Sequence, residues 1–331
     1  MTAWKIGLVH PASGSFPSGG NVYNHKLLDC AGRCGFPLAS LPCPDDALPC
    51  GNWDLLAWDS LCLDRLARIG NERIALLLHY LPSLDPALGW SEKQAVQAME
   101  HRAVTQADLA IVTGRTVADV VRTRWPGTPV LLCEPGVSAA FLRSRRGPAG
   151  RTVRLLTVAN PSPAKGHAQL LAMLQRLRHL HWHWEVVGDV GRYPDEVRRL
   201  RDGAAQAGIA DRITFHGALA QEAVAALMET CDVFVSPSTF ESYGMAVAEA
   251  AAAGLPVLSQ RVGAAEQLIR HGETGFLPMA GDWDRFQGYL QVLLEDAAVR
   301  AAFRANLRHA SVRSWDQTFA DFRAACEAVL R

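Results

Sequence analysis

The stretch PSTFESYGMAVAEAAAAGLPV, residues 237–257, places two carboxylates, Glu241 and Glu249, on either side of a Ser242-Tyr243-Gly244-Met245 step. The residues before it, DVFVSP, form a continuous apolar run of strand character. The residues after it have helix-forming composition, closed by Gly254 and Pro256. The pattern predicts strand, loop and then a helix opening near Gly244, at the carboxyl end of a buried parallel strand. Ligands of open α/β sheets bind at such ends. The leading amides of that helix, at Gly244 and Met245, carry the positive end of the helix dipole and suit a phosphate. Glu241 is then too close to a phosphate for charge complementarity, but it can accept hydrogen bonds from hydroxyls beside one. Glu249, among alanines, needs donors if it is buried, and sugar or ribose hydroxyls would supply them. The spacing alone leaves a second reading open, in which Glu249 is an exposed helix position and Glu241 an ordinary loop acid.

Two further clusters carry anion chemistry. VANPSPAKGH, residues 158–167, ends a strand, turns through prolines and opens a helix at Lys165-Gly166, where a cation and a helix N-terminus coincide. Gly19-Gly20 follows the first strand in a Gly- and Ser-rich loop, without the full G-x-G-x-x-G of a dinucleotide site. Cys30 and Cys34 share a helix face, but no second pair at zinc-site spacing supports them. HLHWHW, residues 179–184, is rich in potential ligands but leads into a strand, so no metal site is expected.

The elements that must position these residues alternate. KIGLVH (5–10), RIALLLHY (73–80), LAIVTG (109–114) and PVLLCEPG (129–136) are apolar on both faces, as strands inside a parallel sheet are. Helical patterns lie between them, from Val22 to about Cys34 and over 91–107 with Ser91 as N-cap. The alternation breaks at 142–154, a basic stretch interrupted by Gly and Pro. That stretch reads as a linker with a solvated arginine surface, or else a patch for lipid phosphate. Beyond it the alternation resumes with LLTVAN (155–160), WEVVGD (184–189), RITFHG (212–217), DVFVSP (232–237), LPVLSQ (255–260) and TGFLPM (274–279). The fold expected is two consecutive Rossmann-like, doubly wound α/β domains facing across a cleft, with a hinge at the linker.

Composition bounds the function. The 331 residues suffice for two cores, and 33 basic against 33 acidic side chains give no net field for nucleic acid. The first residues are too short an apolar run for a signal peptide, and no run reaches the roughly 20 apolar residues of a membrane span. A cytoplasmic protein with reduced thiols is expected.

From about residue 155 to 277 the chain resembles the nucleotide-sugar-binding domain of retaining glycosyltransferases of family 4. The matching stretches are VANPSPAKGH, WEVVGD, ITFHGAL, CDVFVSPSTFESYGMAVAEAAAAGLPV and HGETGFL, with FESYGMAVAEA fitting the family's E-x7-E motif. The first half matches more loosely, through PSGGNVYNH, LLLHY and CEPGVS. Near the end RSWDQT (313–318) is similar to the family's Ser-Trp pair, in a tail that usually returns to the first domain. The resemblance implies the GT-B fold. It gives an acceptor-binding domain over 1–145, a nucleotide-sugar-binding domain over 146–305 and a helical tail over 306–331.

By the same resemblance Glu249 binds the ribose, while Glu241, Ser242 and Tyr243, with the amides of Gly244 and Met245, hold donor sugar and diphosphate. Lys165 neutralises the departing diphosphate, Gly19 and Gly20 approach it, and His79 faces the donor sugar. Asn160 stands where the family usually carries an arginine, which removes a charge from the diphosphate site. Arg261 could replace it, and Glu266 fits the shortened VGAAEQL segment.

The activity implied is a metal-independent, retaining hexosyl transfer from a nucleoside diphosphate sugar, UDP- or GDP-linked, which serves as co-substrate with no further cofactor. The acceptor would be a small molecule, a glycan or a lipid-linked hydroxyl or amine, compatible with peripheral membrane contact. The acceptor loops, around 11–18 and 81–90, carry no readable motif. Competing readings are a nucleotide-sugar epimerase, a sugar-phosphate synthase, or a non-catalytic nucleotide-sugar binder.

Overall fold

The computed structural model describes residues 4–12, 18–43, 52–66, 72–85, 88–142, 150–307 and 312–331. The chain forms two compact units: one of Met1–Gly136 with Arg313–Arg331, the other of Val137–Val312. The second unit begins earlier than the basic stretch suggests, because Val137 and Phe141 are already buried in its core. Of the linker read over 142–154, residues 143–149 lie outside the described residues, as do 13–17 and 86–87 of the acceptor loops.

The first unit holds a six-stranded parallel sheet of β1 (Ile6–His10), β2 (Leu38–Pro42), β3 (Leu55–Asp59), β4 (Arg73–Leu78), β5 (Leu109–Val112) and β6 (Val130–Leu132). Its order is β2-β1-β3-β4-β5-β6, so the winding reverses between β1 and β3. Three helices follow strands: α1 (Gly19–Cys34), α2 (Trp90–Gln106) and α3 (Arg115–Arg124). Ala103 and Val104 of α2 and Val117 and Val121 of α3 pack with Leu56, Trp58, Ile74 and Leu76 on one face. The tail helix, Trp315–Leu330, packs with α1 and contacts β3 and β4. Its return depends on Gly136, where a β-carbon would sit 2.4 Å from the carbonyl carbon of Ser314. Ser314 caps the tail helix by accepting from the amide of Gln317, whose side chain accepts from the amide of Ser314.

Neither β2 nor β3 stands out in the sequence, and α1 begins at Gly19, ahead of the expected Val22. The expected cap at Ser91 lies inside the helix: α2 starts at Trp90 and is capped by Gly89, whose amide donates to Glu92. Gly19 and Gly20 head α1 rather than lying in the loop. Ser18 caps them, accepting from the amide of Asn21. Glycine is a poor helix former, but a β-carbon at Gly20 would come within 3.0 Å of His79 Cδ2, so close packing overrides propensity.

The second unit has β7 (Val153–Val158), β8 (Trp182–Val187), β9 (Ile213–Gly217), β10 (Val233–Ser236), β11 (Val257–Ser259) and β12 (Gly275–Phe276), all parallel. The order β12-β11-β10-β7-β8-β9 reverses between β7 and β10. Helices α4 (His167–Arg176), α5 (Pro194–Gln206), α6 (Gln221–Thr230), α7 (Met245–Ala252), α8 (Ala265–Leu268), α9 (Trp283–Glu295) and α10 (Ala297–Leu307) complete it. One core faces α6, α7 and α8, and the other faces α4, α5 and α9. Neighbouring strand residues alternate between them: Leu156 and Phe234 enter the first, Leu155 and Val235 the second. That alternation is why both faces of the central strands read as apolar in the sequence. No helix of the described residues is long and apolar enough to cross a membrane.

Candidate active site

In the second unit the candidate site residues gather where the winding reverses, on the loops after β7 and β10. Such a crevice is the ligand site of open α/β sheets. After β7 the chain turns through Pro163–Lys165 as a short 3-10 segment, and Gly166 then enters α4 with φ 69°. A β-carbon on Gly166 would lie 2.2 Å from the carbonyl oxygen of Pro237, so only glycine lets the two loops meet. Thr239 fastens them further, its amide donating to the carbonyl of Ala164 at 3.0 Å. The contact delivers Lys165 to Glu241, Nζ to Oε1, at 2.7 Å.

Glu241 is held from its other side by the loop after β11. Gly263, at φ 58°, would place a β-carbon 2.9 Å from Glu241 Cβ and 2.6 Å from the carbonyl oxygen of Tyr243. The amide of Ala264 donates to that same carbonyl at 2.8 Å. Tyr243 turns its side chain into the core, so what it offers a ligand is backbone; Ser242 stays partly exposed.

Helix α7 opens at Gly244, whose φ of 97° suits glycine alone. The first intrahelical bonds run from Val247 and Ala248 to the carbonyl of Gly244. The amides of Gly244, Met245 and Ala246 therefore head the helix with no intrahelical carbonyl, and the positive end of the dipole lies beside the Lys165–Glu241 pair. The helix closes as the sequence predicts. Gly254 at φ 73° donates to Ala251, and Leu255 to Ala250, which is a Schellman ending.

Glu249 is 8% exposed, which removes the reading of it as a surface acid. Its Oε1 accepts from Gln221 Nε2 at 3.3 Å, and Gln221 Oε1 accepts from Ser138 Oγ at 3.1 Å. Gln221 went unnoticed in the sequence, where nothing distinguishes it from any polar residue opening a helix. Asn160 is tied into the loops: its Oδ1 accepts from the amide of Asp189, while Gly188 admits the backbone of Ala159 at a distance that a β-carbon would forbid. Arg261 lies 3.2 Å from Glu266, so both are engaged with one another.

In the first unit the winding reverses between β1 and β3, and there stands Asp59, fully buried at the end of β3. Its Oδ1 accepts from the amide of Leu61 at 2.8 Å, and its Oδ2 accepts from Asn24 Nδ2. Asn24, 1% exposed on α1, places Oδ1 3.1 Å from His79 Nε2. The amide of His79 donates to Ser60 Oγ, and Tyr23 meets the imidazole edge-on at 4.9 Å between ring centres. Burial lowers the pKa of His79, partly offset by the Asp59 carboxylate, so the ring is neutral at neutral pH. Asn24 lay in a stretch singled out for its resemblance. Asp59 and Ser60 carried no signal beyond a polar residue ending an apolar run.

The histidines and cysteines set aside as structural are engaged locally. His183 Nε2 pairs with Thr214 Oγ1 at 2.8 Å, Cys34 Sγ contacts the carbonyl of Ala31, and Cys30 Sγ lies 3.1 Å from Arg33. His167 is buried against Trp184 near Lys165, and its pKa falls to about 4.

Two doubly wound parallel sheets in one chain are the GT-B class of α/β protein, and solved structures match it over nearly its whole length. Sucrose-phosphate synthase from Thermosynechococcus elongatus aligns with a TM-score of 0.81 and 18% identity, covering 98% of this chain and 99% of that one. HepE of Anabaena, solved in complex with UDP and glucose, aligns with a TM-score of 0.76 and 16% identity, covering 98% and 100%. Residues 140–310 match the family described as Glycosyl transferases group 1, and the chain belongs to that family. Among its relatives, the D-inositol 3-phosphate glycosyltransferase of Stackebrandtia nassauensis is 30% identical over 71% of this chain and 55% of its own. That of Corynebacterium efficiens is 29% identical over 69% and 58%. The chain thus spans about half the length of the curated relatives it matches.

Proposed function

We propose that the protein is a retaining glycosyltransferase that moves a sugar from a nucleoside diphosphate sugar to an acceptor hydroxyl or amine. The observation that carries this reading is the Lys165–Glu241 pair at 2.7 Å beside the open N-terminus of α7, with the buried carboxylate of Glu249 on the same helix. A diphosphate needs a cation and free amides; a donor sugar and a ribose need carboxylates that accept from hydroxyls. Family membership supports that assignment, as do neighbours of the same fold solved with UDP and with UDP-glucose.

In the reaction, the bond between the anomeric carbon and the diphosphate oxygen breaks, with its electron pair leaving on the diphosphate. Lys165 and the amides of Gly244 and Met245 stabilise that charge as it develops, which is the term such a site supplies best. The acceptor oxygen or nitrogen bonds to the anomeric carbon on the face the diphosphate leaves, and its proton passes to the departing phosphate oxygen. Glu241 exchanges Lys165 for sugar hydroxyls once the donor is in place, and Glu249 binds the ribose. By the family resemblance, His79 is assigned to the donor sugar and Gly19-Gly20 to the diphosphate. UDP is the favoured nucleotide, and the site of action is the cytoplasm, with a soluble or membrane-borne acceptor.

Incubation with UDP-glucose and candidate acceptors, followed by NMR of the products, tests this reading. A glycoside with the donor's anomeric configuration is expected. A sugar epimer would contradict the reading, as would an inverted glycoside or a donor left intact with every acceptor. A glycosylated sugar phosphate would favour the competing sugar-phosphate synthase reading.

A further inference from the structure

Within the first unit, Asp59, Asn24 and His79 form a line of three buried polar side chains whose chemistry leaves one arrangement of protons. A carboxylate can only accept, and Asp59 Oδ1 already accepts from the amide of Leu61 at 2.8 Å. Whatever Asn24 turns toward Asp59 Oδ2 must therefore be its NH2 group. Its carbonyl oxygen then faces the imidazole, 3.1 Å from His79 Nε2. An amide oxygen has no proton to give, so Nε2 must carry one. We infer that Asp59, through Asn24, is a positioning residue that locks His79 as the Nε2–H tautomer and keeps Nδ1 as a hydrogen-bond acceptor.

The burial of the line makes the lock effective. Asp59 is 0% and Asn24 1% exposed, so rotating the amide would place its oxygen against a carboxylate with no water to relieve the repulsion. Asn24 also lies on α1 below Gly20, whose missing side chain lets the Cδ2 edge of His79 press against the helix. That edge includes Nε2, so the opposite edge of the ring, with Nδ1, faces away from α1. The titratable groups facing His79 are Asp59, 3.7 Å from Nε2, and the Tyr23 ring, edge-on at 4.9 Å. Burial holds Tyr23 protonated far above neutral pH and lowers the pKa of His79, so the ring carries a single proton at neutral pH. A ring locked in this way accepts from a ligand hydroxyl and offers it no N–H. Below the lowered pKa, Nδ1 gains a proton and that capacity is lost.

The consequence for transfer rests on the glycosyltransferase reading, but the tautomer does not, and the experiment separates them. Long-range 15N–1H correlation spectra of the full chain, without any sugar nucleotide, report which ring nitrogen of His79 is protonated. His79→Gln identifies the resonances. A pyrrole-type Nε2 with a pyridine-type Nδ1 at pH 7.5 is expected. A protonated Nδ1, or a mixture of the tautomers, overturns the proposal. In Asp59→Asn the amide of Asn24 is no longer oriented, so the Nε2–H preference should weaken. The kcat for transfer should fall about 10- to 100-fold, the range by which removing the partners that orient metal-bound histidines lowers activity. Asn24→Ser provides the same readout without altering the buried charge. A loss of kcat with the tautomer unchanged in both variants makes Asp59 merely structural and sinks the idea. A lock present in the wild type and lost in the variants, with no effect on transfer, would count against His79 in the proposed function and leave the lock standing.

Discussion

Replacing Lys165 with alanine is expected to lower kcat for glycosyl transfer by about 10²–10³-fold, the size of effect seen when one preorganised donor to a developing anion is removed. The reason lies in timing. In the resting structure Lys165 is paired with Glu241 at 2.7 Å, so its attraction to an intact donor is partly offset by the pair that must be broken. Its attraction to the diphosphate rises as the sugar bond breaks and charge accumulates, so the loss falls on kcat more than on KM. Glu241→Gln should behave differently. It frees Lys165 from its resting partner, so the nucleoside diphosphate alone should bind as tightly as before or more tightly. Transfer should still fall, because the carboxylate that accepts from sugar hydroxyls is gone. Stopped-assay kinetics and titration with free diphosphate measure the two halves. If Lys165→Ala raises KM and spares kcat, Lys165 only anchors the donor.

The second large effect concerns the scaffold. Gly166→Ala should destabilise the second unit by about 3 kcal/mol or more. An alanine in the left-handed region costs about 1–2 kcal/mol by itself. Here its β-carbon would also sit 2.2 Å from the carbonyl oxygen of Pro237, so the loops after β7 and β10 must separate. Gly254→Ala is the matched control, with a similar φ of 73° and nothing within 4 Å of the added carbon. It should lose only the conformational part. Thermal melts of both variants should therefore differ by about 4–8 °C, taking 2–4 °C for each of some 2 kcal/mol. Equal melting temperatures would mean that the loop contact adds nothing.

That contact also explains how much of the site was legible beforehand. The strand, loop and helix around Glu241 and Glu249 could be read because the apolar run, the Gly254 ending and the helix composition agree with one another. The sequence could not say whether Glu249 is inside or outside. An acid on an alanine-rich helix has no polar face to contrast with, and its partner Gln221 comes from a different helix. The meeting of Lys165 and Glu241 was equally hidden, since it depends on Gly166 and Gly263 fitting against backbone from distant loops. In the first unit β2 is hidden because it is a partly exposed edge strand ending in Pro42, and β3 because its apolar run, residues 55–58, lies between Asp54 and Asp59 in a stretch that periodicity alone does not separate from buried helix. With β3 unseen, Asp59 had no place at a switch in the winding, and the line to His79 could not be drawn.

The central claim is that the second unit grips a nucleoside diphosphate, with Glu249 on the ribose. Calorimetric titration of the protein with UDP, GDP, ADP and CDP, beside Glu249→Ala, tests it directly. Binding of one diphosphate, UDP first among them, is predicted, with a stoichiometry of one and affinity at least tenfold weaker in the variant. Folded protein that binds none of the four, or a variant that binds as tightly as the wild type, would contradict the account.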